Sequence, residues 1–434
     1  MFKTFKNAWK VSELRSKILF TLFILVLFVL GTEIPIPYFH LNDDLVRFFG
    51  RETAFNYLNM ISGGALQNAN LFALSISPYI TAQIIIQLLT IAIPALERMS
   101  QEGEEGRKKI QSITRYSTVI LAIITSIGYY ALLNANGAMD FGTMNKTFGA
   151  IVVIATYTAG AALVMWLAEK INEHGIGNGI SLILFAGIVA GIPDMFISFA
   201  QTMKAAPYSM KTLPVALILA VTVIVFILII AFIVFVTESE RRIPVQYAKK
   251  VVGRKMYGGQ NSAIPIKLNM SGVMPFIFAQ SIVSIPATIK MIANPKQDGI
   301  AYKILSWFDQ GSVVYVVLLF ALIIAFAYFY IAISFNPNEV ANNLKKNGGT
   351  VFGIRPGKPT ADYIKRVTNR ITLIGALFLS IIAIVPMILD VFWAPLAAIS
   401  LGGTSILIAV GVAIETEREV EAQMTMRNYK GFLE

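Results

Sequence analysis

The 434-residue chain contains no cysteine and only two histidines, His40 and His174, far apart in sequence. The first absence removes disulfides, thiol nucleophiles and thiolate-held metal or iron–sulfur centres. The second makes a histidine-built catalytic or metal site improbable as a class, and no cofactor is expected. Charge is scarce as well, with 14% of residues Asp, Glu, Lys or Arg against 56% hydrophobic. At the long apolar runs the carboxylates are Glu33 and Asp194 inside them and Asp390 between the last two, all at run ends or turns, and no Lys, Arg or His falls mid-run. Proton-coupled transporters and pumps need such groups within the membrane, so a passive conduit or a protein driven from outside is expected. No Walker-type phosphate loop occurs. "GIGNGI", Gly175 to Ile180, has closely spaced glycines but joins two apolar runs with no strand before it, which reads as a tight helix connection. "GIVAG", Gly187 to Gly191, reads as close helix packing.

What is present is a set of ten runs long enough to cross a bilayer: Ile18 to Ile36, Leu71 to Pro94, Ile113 to Leu133, Phe148 to Leu167, Ile180 to Ile197, Leu213 to Val236, Leu268 to Ile289, Val313 to Phe335, Ile371 to Leu389 and Val391 to Ile414. The first follows a basic segment and lacks a small-residue cleavage pattern, so it reads as a retained span. With the loops assigned alternately, the side bearing the N-terminus collects 28 of the 36 Lys and Arg. By the positive-inside rule both termini are cytoplasmic. Trp166, Trp307 and Trp393 near run ends suit an aromatic belt. The polar segment "QTMKAAPYSMK" divides the runs five and five, giving an N-terminal half over 1–200 and a C-terminal half over 201–434. An odd number per half inverts one against the other, and inverted repeats place a site or pore at their interface. The expected fold is an all-α polytopic membrane protein.

One stretch fits no span. "FNYLNMISGGALQNANLF", Phe55 to Phe72, lies in a charge-free region from Thr53 to Leu96. That region would form a rod of roughly 66 Å, about twice a hydrocarbon core. Phe55, Leu58, Ile61, Ala65 and Leu66 recur at helical spacing before "SGGALQNAN" interrupts the apolar character, so a half-helix feeding into the second span is expected. Two basic cytoplasmic loops, over 237–267 and 336–370, also stand out. Basic loops set topology and meet anionic lipid, but Gly353, Pro356, Gly357 and Pro359 would stiffen a turn presenting Arg355, which a lipid patch does not need.

The motifs "IPIP" (Ile34 to Pro37), "SGGAL" (Ser62 to Leu66), "SPYITAQIIIQLL" (Ser77 to Leu89), "GRKKIQSITRY" (Gly106 to Tyr116), "GIGNGISL" (Gly175 to Leu182), "RRIPVQYAKK" (Arg241 to Lys250), "FNPNEVANNLKKNGG" (Phe335 to Gly349), "GIRPGKPT" (Gly353 to Thr360) and "GGTSILI" (Gly402 to Ile408) together resemble the bacterial SecY family, in the same order and spacing over nearly the whole chain. That family forms the large subunit of the Sec protein-conducting channel in the bacterial inner membrane. The resemblance implies no enzymatic activity, and partners of several kinds: the SecE and SecG subunits, the SecA ATPase, the ribosome, signal sequences and secretory polypeptides, and membrane lipids. It implies a re-entrant plug at about 53–70, with Phe55, Leu58, Ile61, Ser62, Gly63, Gly64 and Leu66 sealing the resting pore. It implies a pore ring of Ile76, Ile80, Ile180, Leu184, Ile277 and Ile408, where Leu184 departs from the family's isoleucine at similar volume. A lateral gate would carry Thr81, Gln87 and Asn269 as a polar cluster. Arg241, Arg242, Arg254, Lys255 and Arg355 would dock the motor or the ribosome.

Two other classes compete. An inverted-repeat secondary transporter for a small solute would share the ten spans but need convergent polar groups at midplane, where the ring positions are aliphatic. A membrane-embedded protease or insertase would need a buried Asp pair or a Ser/His combination, for which the sequence offers no support.

Overall fold

The computed structural model describes residues 2–40, 59, 61–142, 145–205, 215–247, 250–252, 255–257, 261–293, 299–309, 312–392 and 397–430. Helices dominate it. In chain order they are α1 (Phe2–Trp9), α2 (Ser12–Thr32), α3 (Ser77–Ala92), α4 (Pro94–Gln101), α5 (Glu104–Ala135), α6 (Lys146–His174), α7 (Gly179–Ala205), α8 (Val215–Glu238), α9 (Met274–Val283), α10 (Ile285–Ala293), α11 (Ile300–Ser306), α12 (Val313–Ser334), α13 (Pro337–Lys346), α14 (Lys358–Phe392) and α15 (Ala397–Lys430). Each of the ten expected runs overlaps one of these helices. Their outer faces stay apolar: along α2, Leu19, Leu22, Phe23, Val26 and Leu30 are exposed while Ile24 and Phe28 are buried. A helix with one apolar face packed inward and the other left uncovered suits a surrounding of hydrocarbon, where exposed aliphatics carry no hydration penalty.

Two runs depart from the expected continuous helix. In the second run, the chain reaches helix only at Ser77, because Ala69 and Ser75 take left-handed backbone angles and Leu71 to Ile76 form turns. Pro78 then fits the first turn, where a missing N–H leaves nothing unsatisfied. At the far end Pro94 forces Ile93 into an extended conformation, and α4 leaves α3 at 100°. The seventh run also starts late, at Met274 after the left-handed Gly272, and is interrupted at Ser284 between α9 and α10.

The two basic loops, expected only as turn-rich connections, are built structure. Strands β1 (Glu240–Tyr247), β2 (Lys250–Val252), β3 (Lys255–Tyr257) and β4 (Asn261–Lys267) arise in the first loop and β5 (Gly349–Val351) in the second. They combine in a sheet of order β4–β1–β5, antiparallel throughout, with Ile243 opposite Ile264 and Val245 opposite both Ser262 and Val351; β2 and β3 form a separate hairpin. Ile243, Val245, Ile266 and Val351 pack with Leu344 and Ile364 into a small core of their own. Helix α14 begins at Lys358, well before its apolar run at Ile371.

Helices of the first five runs meet those of the last five along two seams. On one, α3 and α5 face α9 and α10; on the other, α7 and α1 pack on α15. The expected tight connection after α6 is observed: the Asn178 side chain accepts from the backbone N–H groups of Ile180 and Ser181 and so caps α7.

Candidate functional site

Between the seams lies one continuous apolar core. Ile76 at the start of α3, Ile80 on α3, Ile180 and Leu184 on α7, Ile277 on α9 and Ile408 on α15 are all buried members of it. The structure therefore brings together all six ring candidates, from four separate helices. A ring of aliphatic side chains offers an ion no replacement for its hydration shell.

Ile61 belongs to the same core. Of the other plug candidates, Phe55 and Leu58 lie outside the described residues. From Ser62 to Ala69 the chain is a succession of turns, against the helix expected from apolar spacing. Gly63 and Gly64 both take positive φ, 67° and 84°, which ends helical winding at once. Ser62 accepts from the Leu66 N–H and donates to the Asn59 carbonyl, closing the turn. Leu66 joins a different core, with Tyr129 and Tyr157. Gly187 of α7, expected to serve helix–helix packing, instead lets the backbone of this segment approach. A Cβ there would press on the Ile61 carbonyl, 3.0 Å from its carbon and 3.4 Å from the Gly63 nitrogen. Gly191 has open space around it.

Along the first seam runs a cavity of about 250 Å³ containing Ser77, Thr81, Thr125, Ser281, Ser284 and Thr288. Thr81 donates to the Ser77 carbonyl at 3.0 Å, Ser281 to Ile277 at 2.9 Å and Thr288 to Ser284 at 3.1 Å, each inside its own helical stretch. Their donors stay satisfied if the seam parts, so separation strands no polar hydrogen. Asn269, the third gate candidate with Thr81 and Gln87, lies elsewhere, in a cavity of about 480 Å³ with Lys267, Tyr330, Glu415 and Arg418. The expected trio is thus not gathered in one place. The sequence signal missed was the 281, 284, 288 spacing of small hydroxyl residues, which puts them on one helical face.

In that second cavity burial, and after it the nearby Arg418, hold the Lys267 ammonium below the usual lysine range. Burial pushes the Glu415 carboxyl, one residue past the tenth run, above the usual carboxylate range, and its Oε2 finds no hydrogen-bond partner among the described residues. A further charged feature unforeseen from sequence is the Arg115–Glu169 pair, 2.8 Å apart, with Glu169 4% exposed and also accepting from Gln111. It ties α5 to α6.

Of the docking candidates, Arg241, Arg242 and Arg355 are exposed on the sheet and the loop beside it. Arg242 is engaged by Glu240 at 2.7 Å. Arg355 sits between Gly353 and Gly357, both at positive φ, and its carbonyl accepts from Thr360 at 2.8 Å, so the turn that presents it is fixed. Lys255 falls on β3; Arg254 lies outside the described residues.

Comparison with known proteins matches residues 70–417 to the SecY family model. The chain is 42% identical to a protein translocase subunit SecY of Streptomyces coelicolor, 41% to one of Halalkalibacterium halodurans and 39% to one of Mycobacterium tuberculosis, each alignment covering 100% of both chains. Among solved structures it resembles one described as a protein conducting channel (TM-score 0.64, 18% identity, 94% of this chain and 92% of that one). It also resembles Sec61 in a canine ribosome–channel complex (TM-score 0.60, 17% identity, 94% and 92%). With full-length identity near two residues in five and a family-model match over residues 70–417, the chain belongs to the SecY family.

Proposed function

We propose that this multi-pass membrane protein is a protein-conducting channel: it passes unfolded secretory polypeptides across the membrane and releases transmembrane segments sideways into lipid through the α3/α5–α9/α10 seam. The observation carrying this reading is the union of six aliphatic ring residues with Ile61 in one buried core at the meeting of the two helix groups. Such a ring can close around any side chain, which a polypeptide conduit needs and a solute-selective site does not. The solute-transporter alternative loses its ground, since the relatives are translocase subunits and the ring offers no convergent polar groups.

The finer reading follows the same line. The halves 1–200 and 201–434 move against each other, with Phe55 to Leu66 as plug and Thr81 at the gate. SecE and SecG are the membrane partners, and SecA or the ribosome docks on Arg241, Arg242, Arg254, Lys255 and Arg355. The protein sits in the bacterial inner membrane with both termini cytoplasmic, and transport is driven from outside it without chemistry of its own. Its test is a secretory chain arrested in transit, with a photocrosslinking residue placed in turn at Ile80 and at Ile408. Crosslinks to the arrested chain at both positions are expected. Crosslinks confined to lipid or to subunit surfaces would refute the pore.

A further inference from the structure

The segment between the first span and α3 is held unequally along its length. Its first described part, around Ile61, lies in the ring core and touches α7 through backbone approach at Gly187. Its later part is tied by buried polar bonds. The Tyr129 hydroxyl of α5 donates to the Leu66 carbonyl, and the Tyr157 hydroxyl of α6 donates to the Ala69 carbonyl at 3.2 Å. The two rings meet edge to face with centroids 5.1 Å apart, and both side chains are fully buried. The Asn70 side chain donates to the Thr32 carbonyl at 2.6 Å, and the Leu71 N–H to the Ile34 carbonyl at 2.8 Å. Gly160 admits the Leu71 carbonyl against α6.

Between these parts stand Gly63 and Gly64, the one adjacent pair of glycines with positive φ among the described residues. Across them the Asn59 side chain bonds to Gln67, accepting from its N–H at 2.8 Å and donating to its side chain at 3.3 Å. Both residues are half-buried, so these bonds can be exchanged for bonds to water when the segment moves, and a buried bond, from the Leu66 N–H to the Ser62 hydroxyl at 3.1 Å, also spans the glycines. The tyrosine bonds are different: a carbonyl pulled off a buried phenol leaves two unsatisfied groups in an apolar core, which is strongly disfavoured.

We propose that Tyr129 and Tyr157 are positioning residues that fix the stem from Leu66 to Leu71, so that plug displacement hinges at Gly63–Gly64 and only the residues before it leave the pore. This rests on the plug reading above, and the experiment separates the two. The chain has no native cysteine, so spin labels can be placed pairwise in the reconstituted full-length channel with its partner subunits. One pair joins Asn59→Cys with Asn134→Cys at the end of α5; the other joins Asn68→Cys, on the stem, with the same Asn134→Cys. Asn68 and Asn134 are exposed.

With a secretory precursor arrested in the pore, the 59–134 distance should change by at least about one helical turn, ~5 Å, while the 68–134 distance stays put. In the Tyr129→Phe, Tyr157→Phe double variant, which keeps the ring packing and loses both donors, the 68–134 distance should broaden or shift on arrest. A merely structural role would lower thermal stability without making the stem respond to the arrested chain. If 59–134 does not change, the plug reading fails. If 59–134 and 68–134 change together in the parent, the plug moves as one body and the hinge proposal is overturned. A stem that stays fixed in the double variant overturns the assignment to the tyrosines. Should the double variant not assemble, Tyr157→Phe alone carries the same comparison, and the parent measurements stand by themselves.

Discussion

Gly187 offers the sharpest test of how the resting channel is sealed. Replacing it by Ala adds one methyl group whose carbon would lie 3.0 Å from the Ile61 carbonyl carbon, closer still to its oxygen, and 3.4 Å from the Gly63 nitrogen. Ordinary carbon contacts lie at about 3.5–4.0 Å, so the segment must retreat by roughly half an ångström or more. The opposing atoms are backbone, which cannot rotate out of the way. Overpacking of this kind costs about 1–3 kcal/mol. Full burial of one isoleucine such as Ile61 is worth about 1.5–3 kcal/mol, so the added methyl is comparable to what seats the segment. A population shift of roughly 5- to 150-fold toward the displaced state follows from that range.

The assay is ion conductance of the reconstituted channel without any translocating chain, alongside thermal unfolding in the same detergent. Gly187→Ala should raise resting conductance and relax the demand for a strong signal sequence, with little loss of overall stability. Gly191→Ala is the internal control, since its added carbon meets nothing within 4 Å, and should be silent. Equal conductance in the Gly187 variant and its parent would refute the seat. So would a Gly187 variant that fails to assemble, which would make the contact a structural brace.

Four further outcomes are expected. Ile80→Asn or Ile408→Asn should let the resting ring hydrate and conduct small ions, because a narrow apolar constriction excludes water only while its lining is apolar; single-channel recordings that match the parent would reject the ring. Arg355→Glu should abolish motor-driven translocation in vesicles while leaving unfolding unchanged, and Arg355→Lys should be milder but measurable; unimpaired transport by the Glu variant would reject the docking turn. Arg115→Ala, which strands a buried carboxylate, should destabilise by roughly 1–3 kcal/mol after solvent screening at Arg115 and by more than Glu169→Ala, since Glu169 is 4% exposed and Arg115 44%; the reverse order in denaturation midpoints would contradict this. Glu415, whose folded pKa is raised by burial, binds its proton more tightly folded than unfolded. Stability should therefore fall as pH rises from the unfolded value of 4.5 through the folded one. Glu415→Gln should be more stable than the parent at neutral pH by a margin that shrinks toward pH 4.5; a pH-independent margin would exclude the linkage.

How much of this was legible beforehand follows from the range of each interaction. Run length and charge placement depend on the bilayer and on loop chemistry alone, so every expected run overlaps a helix. Motif order located Ile76, Ile80, Ile180, Leu184, Ile277 and Ile408 well enough that all six fall in one core. Apolar spacing misled at Ser62 to Ala69, because two successive glycines and a serine that bonds its own backbone override a helical pattern locally. Pairings across long separations were not readable: nothing in "RRIPVQYAKK" announces that Val245 will pair with Val351 in another loop. Nor does an isolated Tyr129 or Tyr157 signal that its hydroxyl is to meet a carbonyl 63 or 88 residues away.

The sheet shared by the two basic loops bears on how an outside motor could act. Strand β1 follows α8, β4 leads toward α9, and β5 lies between α13 and α14, so the structure that carries Arg241 and Arg355 is continuous with four helices of the second group. A flexible loop would absorb a push; a sheet with its own buried core of Ile243, Val245, Ile266 and Val351 transmits it. Of these helices, α9 carries the ring candidate Ile277 and the seam residue Ser281. Force applied at the proposed docking face would have a stiff route, through β4 and the short stretch from Leu268 to Val273, to α9, which like α3 contributes to both the proposed ring and the proposed gate. Gly272, with φ of 62° in that stretch, is the compliant point in the route.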